Sequence, residues 1–272
     1  MLPERRIAAH HFEALGTSCS LFAVDESGID LRQSEHWVRA LGARLTRFDD
    51  SSELSRLNTG PGRWTSISPE LEDVLRTSLR AFELSAGLVN IAVLPAMLAI
   101  GYTRPLVHGP TASAPVAIDV PDLPDVLEVR YREARLRPGC ALDLGGIAKG
   151  WMADRLSESL GENVLVNLGG DLRARGVGPA GQGWPVGLGG TTVLLGDHGA
   201  ATSSVRRRRW AGDMHHVIDP RTGRPSESGL VEVSVVAATA LDAEVVAKTA
   251  LIAGPELAPF LCAAHAEAWW LL

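Results

Sequence analysis

Four stretches hold side chains that can do chemistry together. Residues 142–156, LDLGGIAKGWMADRL, put Gly145, Gly146 and Lys149 beside a helix start. Glycines without a Cβ let a ligand approach the backbone, and amides at a helix N-terminus attract anions. Lys149 adds a point charge suited to phosphate. The spacing is neither GxxxxGK[ST] nor GxGxxG, so this is an anion loop of its own kind or an ordinary glycine turn. In HHVIDPRTGRP, residues 215–225, the turn at Asp219-Pro220 can hold His216 rigidly, and an imidazole can serve as acid or base near neutrality. Residues 201–210, ATSSVRRRRW, place hydroxyls before four arginines. Such a run is a solvated face or, if the strand continues, sends alternate arginines to opposite sides. Glu244 and Lys248 lie four apart in LDAEVVAKTALIAG, residues 241–254. They form an exposed helical pair worth about 0.2–0.5 kcal/mol, or they flank a ligand.

These residues need elements to position them. A helical stripe at Ala153, Leu156 and Leu160 follows the glycine loop, which begins at the end of a strand. Phe12 to Val24 reads as a strand interrupted at Gly16-Thr17, and Ser34 caps a helix burying Val38, Leu41, Leu45 and Phe48. Residues 47–62 read as a connector with a short helical turn. Ser68-Pro69-Glu70 starts a helix with Leu71, Leu75, Leu79 and Phe82 inside, ended near Gly87. Residues 103–126 are a proline-rich surface excursion, followed by a hairpin in VLEVRYREARL. Residues 163–178 hold a buried strand and a second glycine pair, Gly169-Gly170, beside Asp171. Strands follow at 185–195, 200–204 and 231–240, then a helix capped by Asp242 and stopped by Gly254. Alternating strands and helices make the fold class α+β, mixed sheets with flanking helices, read as one domain over residues 1–272.

Composition narrows the partners. With 46% apolar residues and a net charge of -6, the chain reads as a globular protein and not a general nucleic-acid binder. Cys19, Cys140 and Cys262 show no paired spacing for disulfides or zinc. No stretch is long and apolar enough to cross a membrane, and the first residues carry no signal-peptide run, so a cytoplasmic protein is expected.

Five segments in fixed order resemble the ApbE family of flavin transferases: Gly16-Thr17, the Ser-Glu-Leu-Ser-Arg-Leu-Asn run ending at Asn58, the DLGGIAKG loop, the NLGGD turn and the HVIDPRTG turn. The resemblance implies a protein that binds FAD and, with Mg²⁺, moves its FMN half onto a Thr or Ser hydroxyl of an acceptor protein, releasing AMP. Some members hydrolyse FAD instead. It further implies that Gly145, Gly146 and Lys149 lie along the ligand and that Thr202, Ser203 and Arg207 belong to a flavin-site segment. His216 is the implied base, and Asp219, counted among the ligand-binding residues, orders its turn. The implied metal contacts are Glu244 and the Gly146 carbonyl.

Departures fall close to that chemistry. Where the family's helix has an Asp and, four later, a Thr as metal ligands, this chain has Glu244 and Lys248, and an ammonium cannot ligate a cation. Asn90-Ile91 stand where members commonly have Asp-Pro, and Ser203-Ser204 where they have Ser-Gly. Either the metal is held differently, or Lys248 supplies the positive charge, or transfer is lost and a flavin-binding protein remains.

Overall fold

The computed structural model describes residues 5–24, 29–60, 62–111, 117–210 and 214–272. Leu15 and Gly16 both take positive φ, which reverses the chain and makes the expected single strand a hairpin, β1 (Ile7–Ala14) and β2 (Thr17–Val24). In α1 (Leu31–Leu45) the apolar stripe is buried as its spacing requires, but the cap is Asp30. Its carboxylate accepts from the amides of Arg32 and Gln33, while Ser34 is buried inside the helix. Phe48, read with that stripe, lies beyond the helix end and is exposed. Ser52 caps α2 (Glu53–Asn58).

After β3 (Thr65–Ser66), α3 (Pro69–Leu84) begins as its sequence dictates, with the Ser68 hydroxyl accepting from the Leu71 amide and Leu71 and Leu75 fully buried. The chain leaves it at Gly87, whose amide donates to the Phe82 carbonyl. Short helices α4 (Leu94–Ala99) and α5 (Leu123–Val126) flank the proline-rich excursion, of which 112–116 lie outside the described residues. The hairpin β4 (Leu127–Arg130) and β5 (Glu133–Leu136) then pairs with β3. Residues 141–144, expected as a strand end, form no strand; they lead through a turn at 145–147 into α6 (Ala148–Leu160).

The second half opens with β6 (Val164–Leu168) and β7 (Asp171–Arg175), joined through Gly169 and Gly170. A hairpin of β8 (Trp184–Leu188) and β9 (Thr191–Leu195) precedes β10 (Gly199–Ser204). Two short ladders follow, β11 (Arg209–Trp210) with β12 (Met214–His215) and β13 (Ile218–Asp219) with β14 (Arg224–Pro225). The chain ends with β15 (Glu232–Ala237), α7 (Ala240–Ala253), α8 (Ala258–His265) and β16 (Ala268–Leu271).

Seven strands form the main sheet in the order β1-β2-β6-β7-β10-β15-β16, each pair antiparallel. Period-two alternation divides its side chains between two layers. Leu21, Val166 and Leu168 pack with α1, α3 and α6, and Ala201, Val233 and Val235 pack with α7 and α8. On the opposite face Leu165, Leu172, Ala200 and Val236 meet Trp184 and Val186 of the β8–β9 hairpin. Each fully buried leucine stabilises the fold by about 1.5–3 kcal/mol before entropy is counted. Thr239, not Asp242, caps α7: its hydroxyl accepts from the Asp242 amide. The amides of Ala240 and Leu241 are taken by the Asp154 carboxylate of α6, which locks the two helices together.

The turn from Asp219 to Gly223 depends on its last residue. Gly223 has φ +62°, and a Cβ there would press into the backbone of Ile118. Gly223→Ala should therefore cost about 1–3 kcal/mol, read as a lower urea midpoint at unchanged slope.

Candidate active site

The glycine loop is braced from three sides before any ligand arrives. Asn58 at the end of α2 exchanges two hydrogen bonds with Leu142, Oδ1 accepting from its amide at 2.8 Å and Nδ2 donating to its carbonyl at 2.9 Å. The Asp143 amide donates to the Ile91 carbonyl. Arg47, with only 4% of its side chain exposed, donates to Asp143 Oδ2 at 2.5 Å and to the Tyr102 carbonyl at 2.8 Å. Asp143 Oδ1 in turn accepts from the Gly145 amide at 2.8 Å, fixing the turn. The segment ending at Asn58 is thus a buttress and not a plain connector. Arg47→Met should destabilise the protein by about 3–5 kcal/mol, because it strands a partly buried carboxylate. Urea unfolding measures this, and a cycle with Asp143→Asn should show non-additivity.

Below the loop, α6 and α7 bring charges together from distant parts of the chain. Lys149 pairs with Asp171 of β7 and lies 3.5 Å from Glu244 Oε1, while the other Glu244 oxygen accepts from the Gly150 amide at 3.1 Å. Lys248, one turn further along α7, donates to the Gly146 carbonyl at 2.6 Å and lies 3.7 Å from Glu244 Oε1. The reading of Glu244 and Lys248 as an exposed surface pair is corrected: Glu244 is 4% exposed. The reason is α7 itself, apolar nearly all round and packed against β10, β15, α6 and α8. Burial pushes the Glu244 carboxyl up, but Lys149, Lys248 and the Gly150 amide outweigh it and hold it below the usual carboxylate range. Burial pulls both lysines below theirs, with Glu244 pulling back.

His216 completes the cluster. Its imidazole is held well below its ordinary pKa by burial and then by Arg208, Lys248, His215 and Lys149, so it is neutral at neutral pH. Its Nδ1 is buried with no hydrogen-bond partner among the described residues. Arg208, absent from the sequence reading, acts on Lys149, Lys248 and His216 alike. Lys149 and Lys248 face Asp171 and Glu244, and Asp143 is held by Arg47; Arg208, whose charge acts on both lysines, leaves one positive charge in excess among these groups. Gly145 is exposed, and Lys149 and Lys248 keep 14% and 19% of their side chains accessible. A neutral base beside surplus positive charge can bind a polyanion and accept a proton from a nucleophile drawn to it.

Other expected site residues go elsewhere. The strand ends at Ser204, so the arginines do not alternate along it; Val205 to Arg208 form a bend and Arg208 has φ +53°. Thr202 and Arg207 line a groove on the opposite side, walled by Gly187 to Thr192 of the β8–β9 hairpin, and Thr202 hydrogen-bonds Ser234 at 2.8 Å. Ser203 is buried and, by alternation with Thr202, points toward the α7 side. Asp219 orders its turn: its carboxylate accepts from the Arg221 amide and guanidinium, and Arg221 reaches on to the Ile252 carbonyl at the end of α7. It holds the turn beside His216 and makes no contact with the lysines.

Magnesium on Glu244 and the Gly146 carbonyl does not fit this arrangement. Both oxygens already face the Lys248 ammonium, and a Cβ built on Gly146 would clash with its Nζ. A divalent ion about 3 Å from an ammonium would be repelled by roughly 10 kcal/mol at an effective dielectric near 20. Among the described residues no group of three or more His, Cys, Asp or Glu side chains is placed to hold a metal.

An antiparallel sheet under a helical layer, with two lysines set against a braced glycine loop, defines an α+β protein with a buried charge cluster between its helices and that loop. A profile of the ApbE family matches residues 15–270, and the chain belongs to that family. It is 31% identical over 245 residues to the FAD:protein FMN transferase of Escherichia coli K12, covering 79% of this chain but 65% of the relative, just under two thirds of its length. The Salmonella typhimurium enzyme of the same name is 28% identical over 261 residues, covering 84% of this chain and 74% of its own. The flavin transferase ApbE of Vibrio cholerae superposes with a TM-score of 0.80 at 22% identity, covering 96% of this chain and 91% of that one. The apo flavinyl transferase ApbE of Pseudomonas stutzeri gives 0.83 at 21% identity, covering 100% and 96%. At those identities the likeness to the solved structures is one of fold.

Proposed function

We propose that this protein is an FAD:protein FMN transferase, a single domain over residues 1–272 that moves FMN from FAD onto a Thr or Ser hydroxyl of an acceptor protein and releases AMP. The observation that carries this is the convergence of Lys149, Lys248, Arg208 and neutral His216 beside the glycine loop, in a member of this family. In the step proposed, the acceptor hydroxyl oxygen bonds to the FMN-side phosphorus, its proton passes to the His216 imidazole, and the bridging P–O bond breaks to leave AMP. Lys149, Lys248 and Arg208 neutralise charge on the diphosphate, and the glycine loop offers Gly145 and Gly146 for close approach. Thr202 and Arg207 serve the flavin only if it extends across the sheet edge into their groove; Asp219 positions neighbouring backbone, and Ser203 is buried on the α7 side of its strand.

Metal chemistry has no step in this reading, since the proposed ligands already hold Lys248. A cytoplasmic placement fits the three unpaired cysteines. No described helix is long and apolar enough to cross a membrane. The competing reading is a flavin-binding protein that has lost transfer, favoured by Lys248 lying against Gly146. Incubation with FAD and a Thr-containing acceptor separates them: the transferase releases AMP above a no-enzyme control, whereas FAD binding without AMP, across acceptors, selects the carrier.

A further inference from the structure

We propose that the Lys248 ammonium is the resident cation of this site, occupying the position between Glu244 and the Gly146 carbonyl that a divalent ion would otherwise take, so that the protein handles its anionic ligand without metal. Two residues, Gly146 and Glu244, meet at one atom. Nζ of Lys248 donates to the Gly146 carbonyl at 2.6 Å; it lies 3.7 Å from Glu244 Oε1; and it fills the space a Cβ on Gly146 would need. The lysine is therefore seated against the glycine turn and not merely near it. Its stem is held, because only 19% of the side chain is exposed and it rises from the buried helix α7. A backbone carbonyl and one carboxylate oxygen thus face one positive charge, and Asp143 adds an attraction from further away. Those are oxygen donors of the kind a hard divalent cation takes, here directed at an ammonium. A covalently attached cation differs from a bound one in consequence: it cannot be chelated away, and its hydrogen bonds have direction.

The test has a metal arm without flavin and a flavin arm. Mn²⁺ is titrated into the full chain, native and Lys248→Thr, with the free ion followed by electron paramagnetic resonance. The native chain should show no saturable binding and Lys248→Thr one site, with Lys248→Arg behaving as native. Saturable Mn²⁺ binding by the native chain overturns the proposal. So does the lack of a site in Lys248→Thr with a native melting curve, since the oxygens would then form no cation position. Lys248→Ser replaces the Thr variant if that one does not fold.

In the second arm, which rests on the functional reading above, FAD affinity is measured by flavin fluorescence in EDTA and in excess Mg²⁺. Native affinity should be unchanged between the two, while Lys248→Thr should weaken by about tenfold or more in EDTA and recover with Mg²⁺. A native chain that needs Mg²⁺ for tight binding contradicts the proposal. Failure of the native chain to bind FAD at all removes the functional reading instead, and leaves the manganese arm to judge Lys248.

Discussion

Replacing His216 with Ala should lower the rate of AMP release by about 10²–10⁴-fold, while FAD affinity changes little. The imidazole is placed to take a proton, whereas the diphosphate is gripped by the neighbouring cations. Its pKa is held below 6.5 by burial, then by Arg208, Lys248, His215 and Lys149. The base form therefore persists through neutral pH, and the acid limb of the native rate profile should lie below the ordinary histidine value. The same shift has a stability consequence with a definite sign. Because the folded state resists protonation, the unfolded state binds more protons below about pH 6.5. Stability contributed by His216 is present above that pH and is lost as pH falls through the folded value. His216→Ala should remove this part of the acid sensitivity, which urea unfolding across pH measures separately from rate. A variant that keeps the native rate removes His216 from the chemistry.

Lys149→Met should be the most damaging change to the cluster. It removes the cation between Asp171, 4% exposed at its side chain, and Glu244, 5% exposed, taking the ion-pair partner from Asp171 and leaving Glu244 to Lys248. Breaking such a pair costs about 3–5 kcal/mol because a charge stays buried without its partner. Glu244 is held below the usual carboxylate range chiefly by Lys149 and Lys248 against the upward push of burial, so losing Lys149 should raise its pKa. Where burial carries that carboxyl above its unfolded value, stability falls as pH rises through its titration, the reverse of the His216 case. FAD binding should weaken as well. Urea midpoints across pH, with flavin fluorescence for affinity, check both; a variant as stable as the native chain at neutral pH contradicts the buried-pair account.

Local signals were legible wherever a single turn of chain decides the outcome. Ser68-Pro69-Glu70 starts α3 by bonds within three residues, and alternation alone places the β4–β5 hairpin. Where two polar residues competed to cap a helix, tertiary context chose. Thr239 prevails over Asp242 because Asp154, more than eighty residues away, holds the next two amides of α7. The same holds for the site. Gly146, Lys149, Glu244 and Lys248 were each visible as residues able to act, but whether Glu244 and Lys248 face solvent depends on what packs around α7, which no spacing of four encodes. Arg208 was hidden in a run of arginines, since period two fails once the strand stops at Ser204 and the chain bends. Arg47 was unreadable because its partner, Asp143, is 96 residues away.

The most direct test of the whole account is diffraction from crystals soaked with FAD, read for the positions of its two phosphorus atoms. They should lie beside the Gly145-Gly146 turn, within hydrogen-bonding reach of Lys149, Lys248 or Arg208, with the His216 imidazole facing the FMN-side phosphate. A diphosphate seated instead in the groove of Thr202 and Arg207, with the lysines and His216 on the far side of the sheet making no contact to it, would contradict it.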